Sequence, residues 1–191
     1  MILWIALVLI AVAYRLVSPQ VDGLENFAPL MAISLCAAIY LPRRWAFSLP
    51  LLALIFSDLL LNSYYGVALF QPYLIATSSC YLLVGLLGLW VSSQKSLITI
   101  FGSCLLSTVF FYLVTNTIAF VLNPIYAPNL SGWLQALTVG DLIHQPQTWV
   151  FLRNSLFSDL LFTAIFVGSM EFAASRRQSA SFLFPSKTAL N

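Results

Sequence analysis

Charge is what this chain has least of. Its 191 residues hold eight lysines and arginines, six aspartates and glutamates, and one histidine, so 7% are charged while 61% are hydrophobic. A soluble domain carries about 25% charge. A mean hydropathy of +0.94 therefore excludes an ordinary water-soluble fold and makes lipid the expected solvent. Cysteine is nearly as scarce. Cys36, Cys80 and Cys104 all lie in apolar runs, with neither a disulfide framework nor a zinc spacing. The lone histidine, His144, has no ligand partner at metal spacing. No Walker A loop, H-E-x-x-H or G-x-S-x-G occurs, which removes P-loop ATP hydrolysis and two common hydrolase designs from this chain. No arginine ladder suggests a voltage sensor, and nothing supports nucleic-acid binding. The first residues, MILWIALVLIAVAYRLV, lack a basic leader region, so they read as a retained first helix.

What is present is six apolar segments, punctuated by Pro, Gly, Asn and charge. They cover roughly residues 2–17, 26–41, 45–62, 72–91, 97–122 and 148–173. A span needs roughly 20 residues, so the first two are short and imply tilt or local thinning. The expected fold class is an all-α membrane protein of six transmembrane helices in one domain, residues 1–173, with a tail over 174–191. Between the fifth and sixth segments, residues 132–143 read as a short interfacial helix carrying Trp133 and Leu137. Arg43, Arg44, Lys95, Arg176, Arg177 and Lys187 all fall on one side of a six-span arrangement, and the positive-inside rule makes that side and both termini cytoplasmic. The opposite loops hold Asp22, Glu25, Asp141 and His144.

Four ionisable residues lie within or against the spans, all expected in the outer half: Arg15, Asp58, Arg153 and Asp159. The two aspartates sit in copies of one pentapeptide, FSDLL, at Phe56–Leu60 and Phe157–Leu161. An ionisable group inside a span costs about 2.5–3.5 kcal/mol on insertion scales, so it faces a cavity or a partner. Two readings follow. The carboxylates line an outward-facing polar site, or they only fix packing, by pairing with Arg15 and Arg153 or by capping helix ends. The repetition fits an inverted repeat of three plus three spans, or chance in a Leu- and Phe-rich chain, since nothing else in the halves matches. Cys80 alone among the cysteines lies at the depth of this cluster, in PYLIATSSCYLL beside Thr77, Ser78, Ser79 and Tyr81. It is either a small apolar packing residue or a pocket thiol. Thr115, Asn116 and Thr117 gather at the outer end of the fifth segment, as cavity lining or as interhelical hydrogen bonds. Tyr64, Tyr65, Tyr126, Trp133 and Trp149 fall near the outer boundary as belt aromatics or as a cover over a flat ligand.

Three stretches carry a resemblance. NFAPLMAISLCAAIYLPRRWAFSLPLLALIFSDLLLN resembles the N-terminal signature of small bacterial membrane proteins related to the substrate-binding (S) components of energy-coupling-factor vitamin transporters. FYLVTNTIAF and FLRNSLFSDLLFTAIFVG resemble their C-terminal half, so that the likeness covers roughly residues 24–170. The resemblance implies a vitamin carrier of the bacterial inner membrane. The nearest features are those of the solitary cobalamin transporters of that group, which place a cysteine in the outward pocket as a ligand of cobalt. Carried over, Cys80 becomes the cobalt ligand, a soft thiolate suited to that metal. Asp58, Tyr81, Asn116, Arg153 and Asp159 become pocket or gate residues. Bound cobalamin would be the transported ligand, with ligand exchange on its cobalt as conceivable chemistry. The Ala-x-x-x-Ala docking surface that partnered S components carry on their first helix is missing here. Ala6, Ala11 and Ala13 lack the spacing, and Ala28 and Ala32 have it only at the start of the second segment. That departure speaks against a standard ATPase-coupled module and favours a solitary transporter, or one with a different docking surface. The alternatives are an S-component-like carrier for another small molecule, with Cys80 only structural, a non-transporting membrane assembly protein, or a membrane redox enzyme that lacks a second outer cysteine.

Overall fold

The computed structural model describes residues 2–21, 23–70, 73–141, 143, 146–177 and 181–183. Asp22, His144 and Lys187, singled out above, lie outside the described residues. Seven α-helices occur among the described residues and no strand: α1 (Ile2–Val17), α2 (Leu30–Tyr40), α3 (Arg43–Tyr64), α4 (Tyr73–Ser92), α5 (Leu97–Leu122), α6 (Leu130–Leu137) and α7 (Thr148–Arg176). Four of them, α3, α4, α5 and α7, are long and apolar enough to cross a membrane, and they mark the chain as a membrane protein. Their outward faces carry large apolar side chains, such as Leu52, Ile75, Leu106 and Phe157. The expected short helix before the last span is α6, which begins two residues earlier than expected because Asn129 caps it, accepting from the Gly132 N–H at 3.0 Å, and which ends at Leu137, short of the expected residue 143.

The organising element is α2. Ten of its eleven residues are buried, and it packs against α3, α4, α5 and α7. Such a helix has no lipid face to show, which is why its sequence, LMAISLCAAIY, is apolar all round. Close approach to α4 depends on Gly88. A Cβ there would lie 2.7 Å from both the Leu35 carbonyl oxygen and the Ala38 Cβ. α1 lies on the bundle through Trp4, Leu7, Val8 and Ala11, spaced i, i+3, i+4 and i+7, with Trp4 stacked on Phe166 at 5.3 Å. Ala28 and Ala32 are both buried, so their spacing presents no outer surface to a partner.

α7 runs to Arg176, three residues into the segment read as a tail, and residues 181–183 return to the bundle. Phe182 and Leu183 pack against its core. Glu171, which the reading of ionisable residues in spans passed over, holds this return. Its Oε2 accepts from the Ser181 hydroxyl at 2.8 Å and from the Phe182 N–H at 3.0 Å.

Candidate functional site

A cavity of about 540 Å³ opens at one end of the bundle, lined from the end of α1, the starts of α2, α4 and α7, and the second half of α5. The basic residues Arg43, Arg44, Lys95 and Arg176 occupy the other end of the helices. The α5 wall is Thr108, Phe111, Tyr112 and Thr115, at i, i+3, i+4 and i+7, one face of the helix. Tyr73 and Thr77 supply the α4 wall and Arg15 the α1 wall. A second cavity of about 450 Å³ shares Arg15, Tyr73 and Thr77 and adds Asp58 and Asn62.

The rim is pinned from α7. Asn154 Nδ2 donates to the carbonyls of Gly23 (3.0 Å) and Glu25 (2.8 Å). The Ser155 hydroxyl donates to the Asn26 carbonyl at 3.2 Å and accepts from its side-chain amide at 3.1 Å. These bonds hold Asn26 in the left-handed region (φ 58°), a conformation Asn tolerates better than most residues. α6 closes on α5 from outside. Trp133 Nε1 donates to Thr117 Oγ1 at 3.0 Å, and the Tyr112 hydroxyl donates to the Leu137 carbonyl at 2.6 Å.

The two FSDLL copies do different things. Asp58 accepts from Arg15 Nη2 at 2.5 Å, while Arg15 Nη1 donates to the hydroxyl of Ser57. This ion pair sits where the two cavities meet. Asp159 is 1% exposed and lines neither cavity. Its Oδ1 accepts from the N–H groups of Met31 and Ala32, each at 3.0 Å, and its Oδ2 accepts from the Thr108 hydroxyl at 2.7 Å. The Leu30 N–H donates to the Ala28 carbonyl and the Ile33 N–H to the Pro29 carbonyl. Because the N-cap Pro29 has no N–H and Ile33 already makes the first bond within the helix, three free donors remain at the start of α2, and all are satisfied, two of them by a carboxylate on another helix. Asp159 stands one side chain behind the cavity, with Thr108 between.

The other expected residues divide similarly. Asn116 lines the larger cavity, and its side-chain N–H donates to the Tyr112 carbonyl at 2.8 Å. Cys80 is 2% exposed and lines neither cavity, although Thr77, one turn before it on α4, lines both. Tyr81 is buried, its carbonyl accepting from the Ser34 hydroxyl at 2.7 Å. Arg153 is exposed on a groove between α5 and α7, away from either cavity wall. Cys104 Sγ accepts from the Thr163 hydroxyl at 3.3 Å within the core. Nothing in the sequence alone singles out Tyr73, Phe111 and Tyr112, except that the hydroxyls at Thr108 and Thr115 fall in phase with Tyr112.

Hydroxyls, aromatic rings and one ion pair are the furniture of a binding site for a small molecule. Among the described residues no group of three His, Cys, Asp or Glu side chains is placed to hold a metal ion. No curated protein and no solved structure matches the chain. A family model does match, over residues 1–182, and the chain belongs to that family, described as a family of unknown function (DUF6580).

Proposed function

We propose that the chain is an uptake protein of the S-component type, a six-span bundle of the bacterial inner membrane that receives a vitamin-sized molecule. The observation that carries this reading is the 540 Å³ amphipathic cavity at the end of the bundle farthest from Arg43, Arg44, Lys95 and Arg176. The positive-inside rule makes the basic end cytoplasmic, so the cavity opens outward and six crossings leave both termini inside. α2 rises only about 16 Å, and the loop above it completes the second crossing. Irregular backbone is tolerated at that depth because it is packed against α7. The burial of Ala28 and Ala32 supports a solitary carrier over one docked through that pair.

Cobalamin is the substrate to test first, with Cys80 as its cobalt ligand. The two cavities share three wall residues, and together they approach the upper end of the ~300–1,000 Å³ range of ligand sites. A corrinoid must part the Thr77 layer to reach the sulfur one turn below. The burial of that sulfur favours a second reading, a carrier of a smaller, metal-free molecule in which Cys80 only packs.

An absorbance spectrum of the protein purified after expression with cobalamin, beside Cys80→Ala, separates the two. A co-purifying corrinoid with a spectrum altered only in the wild type supports cobalamin and Cys80 together. A colourless protein under saturating cobalamin removes both and leaves the second reading. A thermal-shift panel of vitamins then tests that reading, and a membrane assembly protein without a ligand shifts with none.

A further inference from the structure

Two apolar grooves run along the outer surface of the bundle. One, of about 330 Å³, lies between α4 and α5 and is lined by Leu83, Leu87, Leu106 and Phe110 among others. The other, of about 370 Å³, lies between α5 and α7. They match in size and in hydrocarbon lining and differ at one end. The α5–α7 groove is headed by Arg153 and Trp149, and no charged residue lines the α4–α5 groove.

Arg153 is an unusual residue for this surface. Its Nε and Nη2 both donate to Asn154 Oδ1, at 3.2 and 3.1 Å, and its guanidinium lies over the Trp149 ring at 5.5 Å. The ion pair of the described residues is Arg15 with Asp58, so no carboxylate among them neutralises Arg153. The guanidinium is oriented by these contacts, and no hydrogen bond from its Nη1 occurs among the described residues. Depth follows from the pairing of the two helices. Thr108 meets Asp159 and Cys104 meets Thr163, so α5 and α7 run antiparallel in fixed register. That register sets Arg153 close to the level of Thr115, where α5 turns polar. Trp149 to Leu160 covers eleven residue steps, about 16 Å of helix. That is roughly half of the ~30 Å hydrocarbon core, the depth of one leaflet.

We infer that the α5–α7 groove is a binding site for an anionic phospholipid of the leaflet on the cavity side. One acyl chain lies along Leu105, Leu152, Leu156 and Phe157, and the phosphate meets the Arg153 guanidinium beside the indole of Trp149. An arginine at a membrane boundary needs a phosphate or water to offset its desolvation, and the indole belongs at headgroup level. The charge complementarity commits the site to an anionic headgroup, and the leaflet-length groove commits it to a lipid over a free anion.

The test uses the full chain in detergent, titrated with phosphatidylglycerol or phosphatidylcholine of identical acyl chains and read by native mass spectrometry. The wild type is expected to retain one phosphatidylglycerol about fivefold more tightly than phosphatidylcholine, the worth of one arginine near an anionic headgroup. Arg153→Gln is expected to lose that adduct. Equal retention of the two lipids by the wild type overturns the inference, and so does an adduct that survives in Arg153→Gln. If Arg153→Gln does not fold, a photo-crosslinking residue at exposed position 157 is compared with one at exposed position 106 in the other groove. Labelled phosphatidylglycerol in nanodiscs is expected to mark position 157 preferentially. Equal labelling at both positions overturns the proposal.

Discussion

Arg15 and Asp58 are only 16% and 22% exposed at their side chains, so each would carry a large desolvation penalty alone. Removing one partner of a fully buried pair costs about 3–5 kcal/mol. Partial exposure lowers that here, and Asp58→Ala is expected to destabilise the protein by about 2 kcal/mol in detergent unfolding. The double replacement Arg15→Met with Asp58→Leu should recover most of the loss, because two apolar groups need no mutual compensation. A silent Asp58→Ala would mean that the pair does not hold the fold and is available to a gate. Thr77 poses a different question, since it lines both cavities. Thr77→Phe fills their junction with a ring and leaves the far face of α4 untouched. Uptake of the substrate is expected to fall at least about tenfold, equivalent to ~1.4 kcal/mol of binding, at unchanged expression. Unchanged uptake would separate the cavities from transport.

At the scale of elements, α2 depends on two residues outside it. Asp159→Ala leaves the Met31 and Ala32 N–H groups without an acceptor in a water-poor core. Each buried unsatisfied donor costs about 1–3 kcal/mol, so a loss on the order of 3 kcal/mol is expected. Asp159→Asn keeps an acceptor oxygen and should cost about half as much. Comparable losses from the two variants would show that the charge, not the acceptor, is what α2 needs. Gly88 is the second dependency. Gly88→Val puts branched carbon against the Leu35 carbonyl and the Ala38 methyl, where no flexible side chain can yield. Overpacking of this kind costs about 1–3 kcal/mol. A melting temperature equal to that of the wild type would mean that α2 and α4 sit farther apart than this contact requires.

The whole molecule raises the question of orientation. The six-span reading sets Tyr65 outside and Arg44 inside. The native cysteines are all buried, which leaves little background for thiol labelling. Tyr65→Cys should react with a membrane-impermeant maleimide on intact cells, and Arg44→Cys only after permeabilisation. The reverse pattern would put the cavity on the cytoplasmic side and end the uptake reading. Labelling of both on intact cells would break the six-span count.

Much of this architecture is local in origin. Hydropathy and punctuation alone locate the long helices within a few residues. The Ser96–Thr99 capping box, in which the Ser96 hydroxyl accepts from the Thr99 N–H at 3.1 Å, is likewise written in neighbouring residues. The membrane character and the bias of charge to one end follow from composition and order, because each segment meets lipid or water by itself. The fates of the aspartates were not legible in that way. Both copies of FSDLL offer the same carboxylate on the same kind of helix, yet one pairs with Arg15 and the other caps α2, 128 residues away from Met31. Cys80 and Arg153 show the same limit: each has the depth expected of a pocket residue, and rotation of its helix turned one into the core and the other onto the outer surface. Sequence determined how far along its helix each polar group lies, since that is a sum along one element. Only the tertiary structure decided what each group faces, since that depends on which helices become neighbours and on the angle at which they pack.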